Sequence, residues 1–272
     1  MALLVWLMAS FSGLPESAAS VLAAASWMLV WWITEAVPLG VTSVLPMVLF
    51  PLMGISSISE TTAPYGSHFV FLFMGGFLIA IALERWNLHR RFALNILVLA
   101  GGKPRRLIAG FMIATAALSM WISNTASALM LMPVALAVLA SCSDRQRLAV
   151  PLLLGLAWSC SIGGLGTPIG TPPNLIFVQV YESTTNEVIS FGQWMSWGLP
   201  VIALLLPSAW WWVTRDLPAE LKVTLPVVGP WRSAERRVLI IFALTALAWI
   251  TRAEPFGGWR QWLHLPAAND AS

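Results

Sequence analysis

Four small polar side chains, Ser119, Ser123, Asn124 and Thr125, interrupt an otherwise apolar stretch. Farther along, residues 167–174 read TPIGTPPN, a second polar interruption of a second apolar run. Hydroxyls such as those of Ser119, Ser123 and Thr171, the amide oxygen of Asn124 and carbonyls freed by unwinding are hard oxygen ligands for a small cation. A helix starting just after Thr125 and another just after Pro173 would aim unpaired N–H groups and the positive ends of their dipoles at an anion. The chemistry on offer is the binding of an anion and a cation side by side. Neither run, 107–143 or 148–180, holds Asp, Glu, Lys, Arg or His, so a proton carrier would find no titratable side chain and sodium coupling is favoured. Plainer roles fit the same residues. Ser-Asn-Thr satisfies orphan N–H groups at any helix start, and the second interruption also suits a kink, although four glycines and three prolines within 163–173 are more than a kink requires.

These residues need elements that hold them within a membrane. The charge-free run 107–143 is too long for one helix across a ~30 Å hydrocarbon core and short for two crossings of ~20 residues each. Lys103, Arg105 and Arg106 precede it and Arg145 and Arg147 follow it, so the positive-inside rule puts both feet on the cytoplasmic side. A re-entrant hairpin with its tip at residues 123–125 fits. Irregular backbone at that depth survives only inside protein or along a polar cavity. In 148–180, Pro168, Pro172 and Pro173 remove backbone donors and push their predecessors out of the α region, which reads as a discontinuous transmembrane helix.

The remaining chain supplies spans. Residues 17–37 are long enough to cross, a second span runs to about Ile55, and a third, from about His68 to Leu83, leads to Glu84 and Arg85. Residues 87–100 alternate Arg90 and Arg91 with apolar positions, as in a helix lying in the cytoplasmic interface. After the broken helix, 194–213 spans inwards to a loop with Arg215, Lys222, Arg232, Arg236 and Arg237, and 238–250 begins another outward span. The N-terminal apolar segment reads as a clipped first helix. Glu35 suits a helix end, His68 an outer mouth, and the Trp residues at 31–32 and 210–212 interfacial belts.

Composition agrees: 58% of the 272 residues are hydrophobic, 10% are charged and sixteen are Trp, with a mean hydropathy of +0.78. Soluble domains carry roughly 25% charged residues. A net charge of +3 follows from topology and gives nucleic-acid binding no support. Cys142 and Cys160 lack metal spacing and read as buried, inert thiols. No GxSxG, HExxH or phosphate-cradling motif is present, so an enzyme has no visible machinery. The fold class expected is an all-α polytopic membrane protein.

The segments WWITEAVPLGVTSVLPMVLFPLMGI, FLFMGGFLIAIALERWNLHRR, LSMWISNTASALMLMP and SIGGLGTPIGTPPNLIF resemble the divalent anion/sodium symporter family, the sodium-coupled di- and tricarboxylate transporters and their exchanger relatives. The resemblance implies an inverted-repeat, elevator-type transporter that works as a dimer in the plasma (inner) membrane. It assigns Ser119, Ser123, Asn124 and the backbone near Gly170 to a sodium site. Asn124, Thr125, Thr171 and Pro172 then form half of a carboxylate site, Pro172 by shaping the turn, with Asn174 bracing it. Residues 1–101 would be scaffold helices and an interfacial helix, 102–214 a transport region, and 215–272 a linker and the first span of a second repeat. One Ser-Asn-Thr and one TPPN occur, where the family has two of each element. The resemblance therefore covers an N-terminal half, expected as a truncated product or as one part of a split transporter completed by a second polypeptide. Sodium-independent exchange and a non-transporting membrane scaffold are the alternatives.

Overall fold

The computed structural model describes residues 2–101, 103–218, 229–253, 257–265 and 268–269. Lys222 of the basic loop, Gly102 at the start of the expected transport region and the last residues, 270–272, lie outside them. Among the described residues all regular structure is helical, and the chain divides into two compact units, 1–70 and 71–272.

The first unit holds α1 (Ala2–Phe11), α2 (Glu16–Thr34), α3 (Leu39–Leu52) and the short α4 (Ile58–Thr62). Buried positions of α2 are Ala19, Ser20, Ala23 and Ala24, a stripe of small residues that lets a neighbouring helix approach closely, and α1 packs along α2. Glu35 ends α2 in the left-handed conformation, φ 49°, and is exposed, as a helix-end residue should be. The expected second span is shorter than the sequence suggests: α3 has 14 residues, about 21 Å at the α-helical rise. Gly54, at φ 66°, lies two residues beyond its end.

The second unit holds most of α5 (His68–Arg85), then α6 (Leu88–Ala100), α7 (Pro104–Ser119), α8 (Asn124–Ala140), α9 (Arg145–Gly163), α10 (Pro172–Thr185), α11 (Phe191–Thr214), α12 (Ser233–Ile250) and the short α13 (Gly258–Trp262). Among the described residues of the whole chain, four stretches are long and apolar enough to cross a membrane: 16–34, 58–85, 145–166 and 191–214. Asn87, left-handed at φ 52°, turns the chain between α5 and α6. The core of this unit is built from α6, α7, α8 and α9, with Leu88, Leu97, Phe111, Met112, Leu131, Leu139, Leu152 and Leu156 almost fully buried. Gly155 faces Met112 and Ile108 across the α7/α9 contact, and a Cβ on Gly163 would collide with the Ala116 backbone. Small residues at these two points bring α7 and α9 into close backbone contact.

The interfacial helix departs from expectation at one position. Arg90 is exposed, but Arg91 turns towards α12, where its Nε lies 2.9 Å from Glu235 Oε2 and both side chains are about nine-tenths buried. Arg91 also donates to the carbonyls of Gly229 and Pro230, each at 2.7 Å, and stacks over Trp231. The alternation of 87–100 places Arg91 on the polar face of an interfacial helix, and its acidic partner, 144 residues away, lies too far along the chain for periodicity to reveal it.

Candidate functional site

α7 and α8 form a hairpin joined by Met120 to Ser123, and both helices pack on α9. With 16 and 17 residues, they are about 24 and 26 Å long, short of a ~30 Å hydrocarbon core. Ser123 is the N-cap of α8, accepting a hydrogen bond at 3.3 Å from the Ala126 N–H. That leaves the amides of Asn124 and Thr125 in the first turn, which have no carbonyl one turn back within the helix. The tip is pinned by Trp121, which stacks on Phe191 of α11 and meets Phe242 of α12 edge-on at 5.1 Å.

Opposite the tip, α9 ends at Gly163 and passes through a single 3₁₀ turn, Gly164–Gly166, into extended backbone at Thr167. Residues 167–171 separate that turn from α10. Three side chains hold this backbone. Asn174 Nδ2, buried, donates to the carbonyls of Gly164 at 2.8 Å and Thr167 at 2.9 Å. Trp194 Nε1 on α11 donates to the Leu165 carbonyl at 2.9 Å. Thr167 Oγ1 donates to the Met120 carbonyl, tying the break to the hairpin. Carbonyls that leave a helix ladder here are thus satisfied by side-chain donors.

The two elements meet at Ser119. Its Oγ, fully buried, lies 2.7 Å from Asn124 Oδ1 and 2.7 Å from the Cys160 carbonyl oxygen. A hydroxyl has one proton, so it can donate to only one of these acceptors at a time. Gly164 completes the packing: a Cβ there would stand 2.5 Å from Asn124 Oδ1, and a Cβ on Gly170 would stand 2.5 Å from the Gly164 carbonyl oxygen. Ser119, Asn124, Gly164 and Gly170 therefore form one contiguous chain of contacts. Its polar atoms are neutral oxygens, and among the described residues no group of three His, Cys, Asp or Glu side chains converges anywhere.

Of the residues singled out by sequence, Ser119 and Asn124 come together directly, Gly170 joins them through Gly164, and Ser123 caps the helix beside them. Asn174 braces the break as expected. Thr125 is exposed on the first turn of α8, and Thr171 stands at the N-cap of α10 without a side-chain capping bond, followed by exposed Pro172. None of these three is hydrogen-bonded to the Ser119 cluster among the described residues. The start of α10 differs from expectation in its donors. Pro172 and Pro173 carry no N–H, and the Asn174 N–H bonds to the Thr171 carbonyl at 3.1 Å. This end contributes its dipole and the Thr171 hydroxyl more than a row of free amides. Sequence reasoning missed Gly164, the Cys160 carbonyl, Thr167 and Trp194. The doubled glycine at 163–164 was the only local hint, since the other contacts depend on which helices become neighbours.

A family model described as citrate transporter matches residues 29–259. The sodium-dependent dicarboxylate transporter SdcS of Staphylococcus saprophyticus is 38% identical over 260 residues, covering 88% of this chain and 50% of that protein. Proteins of the same name from two Staphylococcus aureus strains, NCTC 8325 and COL, are each 39% identical with the same coverage. The chain spans about half the length of the curated relatives it matches. With the family model covering most of its length and the hairpin and broken helix packed together, the chain belongs to the citrate transporter family, among the divalent anion/sodium symporters its motifs resemble.

Proposed function

We propose that this chain supplies a sodium site and half of a carboxylate site for the secondary active transport of small dicarboxylates, with tricarboxylates as possible larger substrates. The observation that carries the reading is the Ser119 cluster, where a hydroxyl, an amide oxygen and a carbonyl oxygen lie within 2.7 Å contacts in a charge-free interior. A sodium ion entering between them would accept a lone pair from each of the three oxygens, the Ser119 hydroxyl keeping its proton and turning it away from the ion. Asn124 also begins α8, so its amide oxygen serves the cation while its N–H and that of Thr125 face the carboxylate. Thr171 Oγ1 and the turn shaped by Pro172 offer the second edge of that pocket. The names of the relatives, sodium-dependent dicarboxylate transporters, support both partners.

On this reading 1–101 act as scaffold helices and an interfacial helix, and 102–214 move as an elevator-type unit carrying the re-entrant hairpin. Residues 215–272 lead towards an inverted second repeat, in a plasma-membrane homodimer. The test is thermal unfolding of the purified protein in sodium or potassium chloride, with and without succinate. Sodium at ~100 times its dissociation constant is expected to add roughly 2.7 kcal/mol, potassium nothing, and succinate a further shift only with sodium present. Asn124→Ala should abolish both shifts. Equal stabilisation by potassium, or unchanged affinities in Asn124→Ala, would show the assignment to be wrong.

A further inference from the structure

We propose that the cleft between the start of α9 and the end of α11 binds an anionic phospholipid of the inner leaflet, its phosphate held between Arg147 and Arg215. The cleft has a volume of about 410 Å³, and its walls include Arg147, Val150, Leu154, Trp158, Trp212 and Arg215. The two arginines are 69% and 45% exposed along their side chains. Each directs Nε to an adjacent carboxylate, Asp144 at 3.3 Å and Asp216 at 3.2 Å. Such exposed pairs are weak and leave the terminal nitrogens of both guanidiniums for a phosphate. Arg215 is further held over the Trp212 ring, 4.0 Å from its centroid, which fixes one guanidinium at the wall of the cleft.

The apolar part of the cleft selects lipid over a soluble anion. Val150, Leu154 and Trp158 recur every four residues on α9, so they form one stripe, and they are 63%, 41% and 39% exposed. Between Arg147 and Trp158 the helix rises about 16 Å, about the depth of one leaflet of a ~30 Å hydrocarbon core. A charged head at one end of an exposed apolar lane is the outline of a phospholipid, whereas free phosphate has no use for the lane. The side of the membrane is set independently. Arg105 at the start of α7 donates to the Arg215 carbonyl at 2.9 Å, and Trp210 Nε1 donates to the Arg105 carbonyl at 2.8 Å. The basic ends of α7, α9 and α11 thus share one face, which the positive-inside rule assigns to the cytoplasm, where leaflet charge is negative.

Native mass spectrometry of the purified full chain, titrated with phosphatidylglycerol or phosphatidylcholine of matched acyl chains, tests this. One phosphatidylglycerol is expected to bind in preference to phosphatidylcholine. Replacing both arginines, Arg147→Gln with Arg215→Gln, should weaken it about tenfold while leaving phosphatidylcholine unchanged, and Arg90→Gln on the exposed face of α6 should change neither. Should the double variant not fold, the single charge reversal Arg147→Glu carries the same expectation. Wild-type retention by the arginine variants would overturn the proposal, as would complete displacement by inorganic phosphate, which would mark a soluble-anion site. A Leu154→Cys variant that crosslinks in membranes to a polypeptide rather than to a photoactivatable lipid would also overturn it.

Discussion

Gly164 is the residue at which backbone geometry and ion chemistry are least separable. Its missing side chain lets Asn124 Oδ1 reach Ser119, so Gly164→Ala should displace the amide without adding charge. We expect sodium affinity, read from the salt dependence of the unfolding midpoint, to fall at least about tenfold, equivalent to ~1.4 kcal/mol, and an unchanged sodium response would remove Asn124 from the site. Asn174 has a structural role beside it. Asn174→Ala would take the side-chain donor from the buried Gly164 carbonyl and leave the Thr167 carbonyl only the Gly170 N–H at 3.3 Å, at about 1–3 kcal/mol in all. A carboxylate cannot donate, so Asn174→Asp is expected to destabilise at least as much in chemical unfolding.

At the scale of elements, α6 is tied to α12 by a polar node and to its own unit by a buried histidine. The Arg232 backbone N–H, donating to Glu235 Oε2 at 3.0 Å, holds the Glu235 carboxyl below its ordinary 4.5, with Arg91 adding to the effect and burial opposing it. A carboxyl lowered in the folded state stabilises above 4.5, and that contribution is lost as pH falls through the lowered value. His89 on α6 is 6% exposed, and burial holds its ring below 6.5, while its hydrogen bond to the Leu83 backbone and nearby Glu84 oppose the shift. The unfolded chain binds the proton first, so the His89 contribution is full above 6.5 and is lost through the folded value as pH falls. Thermal unfolding followed from pH 8 downwards should therefore weaken in two stages. His89→Gln should flatten the upper stage and Glu235→Gln the lower one. A wild-type profile in both variants would mean that neither group titrates differently on folding.

For the molecule as a whole, membership of the citrate transporter family and, among the described residues, four stretches able to cross a membrane make this an integral multi-pass membrane protein. Large apolar side chains such as Ile33, Leu204 and Leu244, 81%, 70% and 62% exposed, are the lipid-facing surface such a protein needs. The Ser-Asn-Thr and TPPN motifs occur once each in the 272 residues. Reconstituted by itself in liposomes, this chain is expected to show no sodium-driven succinate uptake, because the residues proposed here supply one half of a carboxylate site. Measurable uptake would mean that one hairpin and one broken helix suffice.

Much of this architecture is local and was legible in order along the chain. Apolar length marked the spans, the Ser-Asn-Thr triplet a helix start, placed just after Thr125 where the helix begins at Asn124, and the prolines at 168, 172 and 173 the break. Each of these depends on neighbouring residues, through helix periodicity, capping or missing backbone donors. What only the tertiary structure decided is which distant groups meet. Ser119 finds a carbonyl 41 residues away, Arg91 finds Glu235 144 residues away, and Trp194 holds Leu165. The first and last of those pairings go with the close approach of α7 to α9 and of α11 to the break. That approach is set by small residues such as Gly155 and Gly163 packing against particular partners, a property of two helix surfaces together that neither segment carries alone.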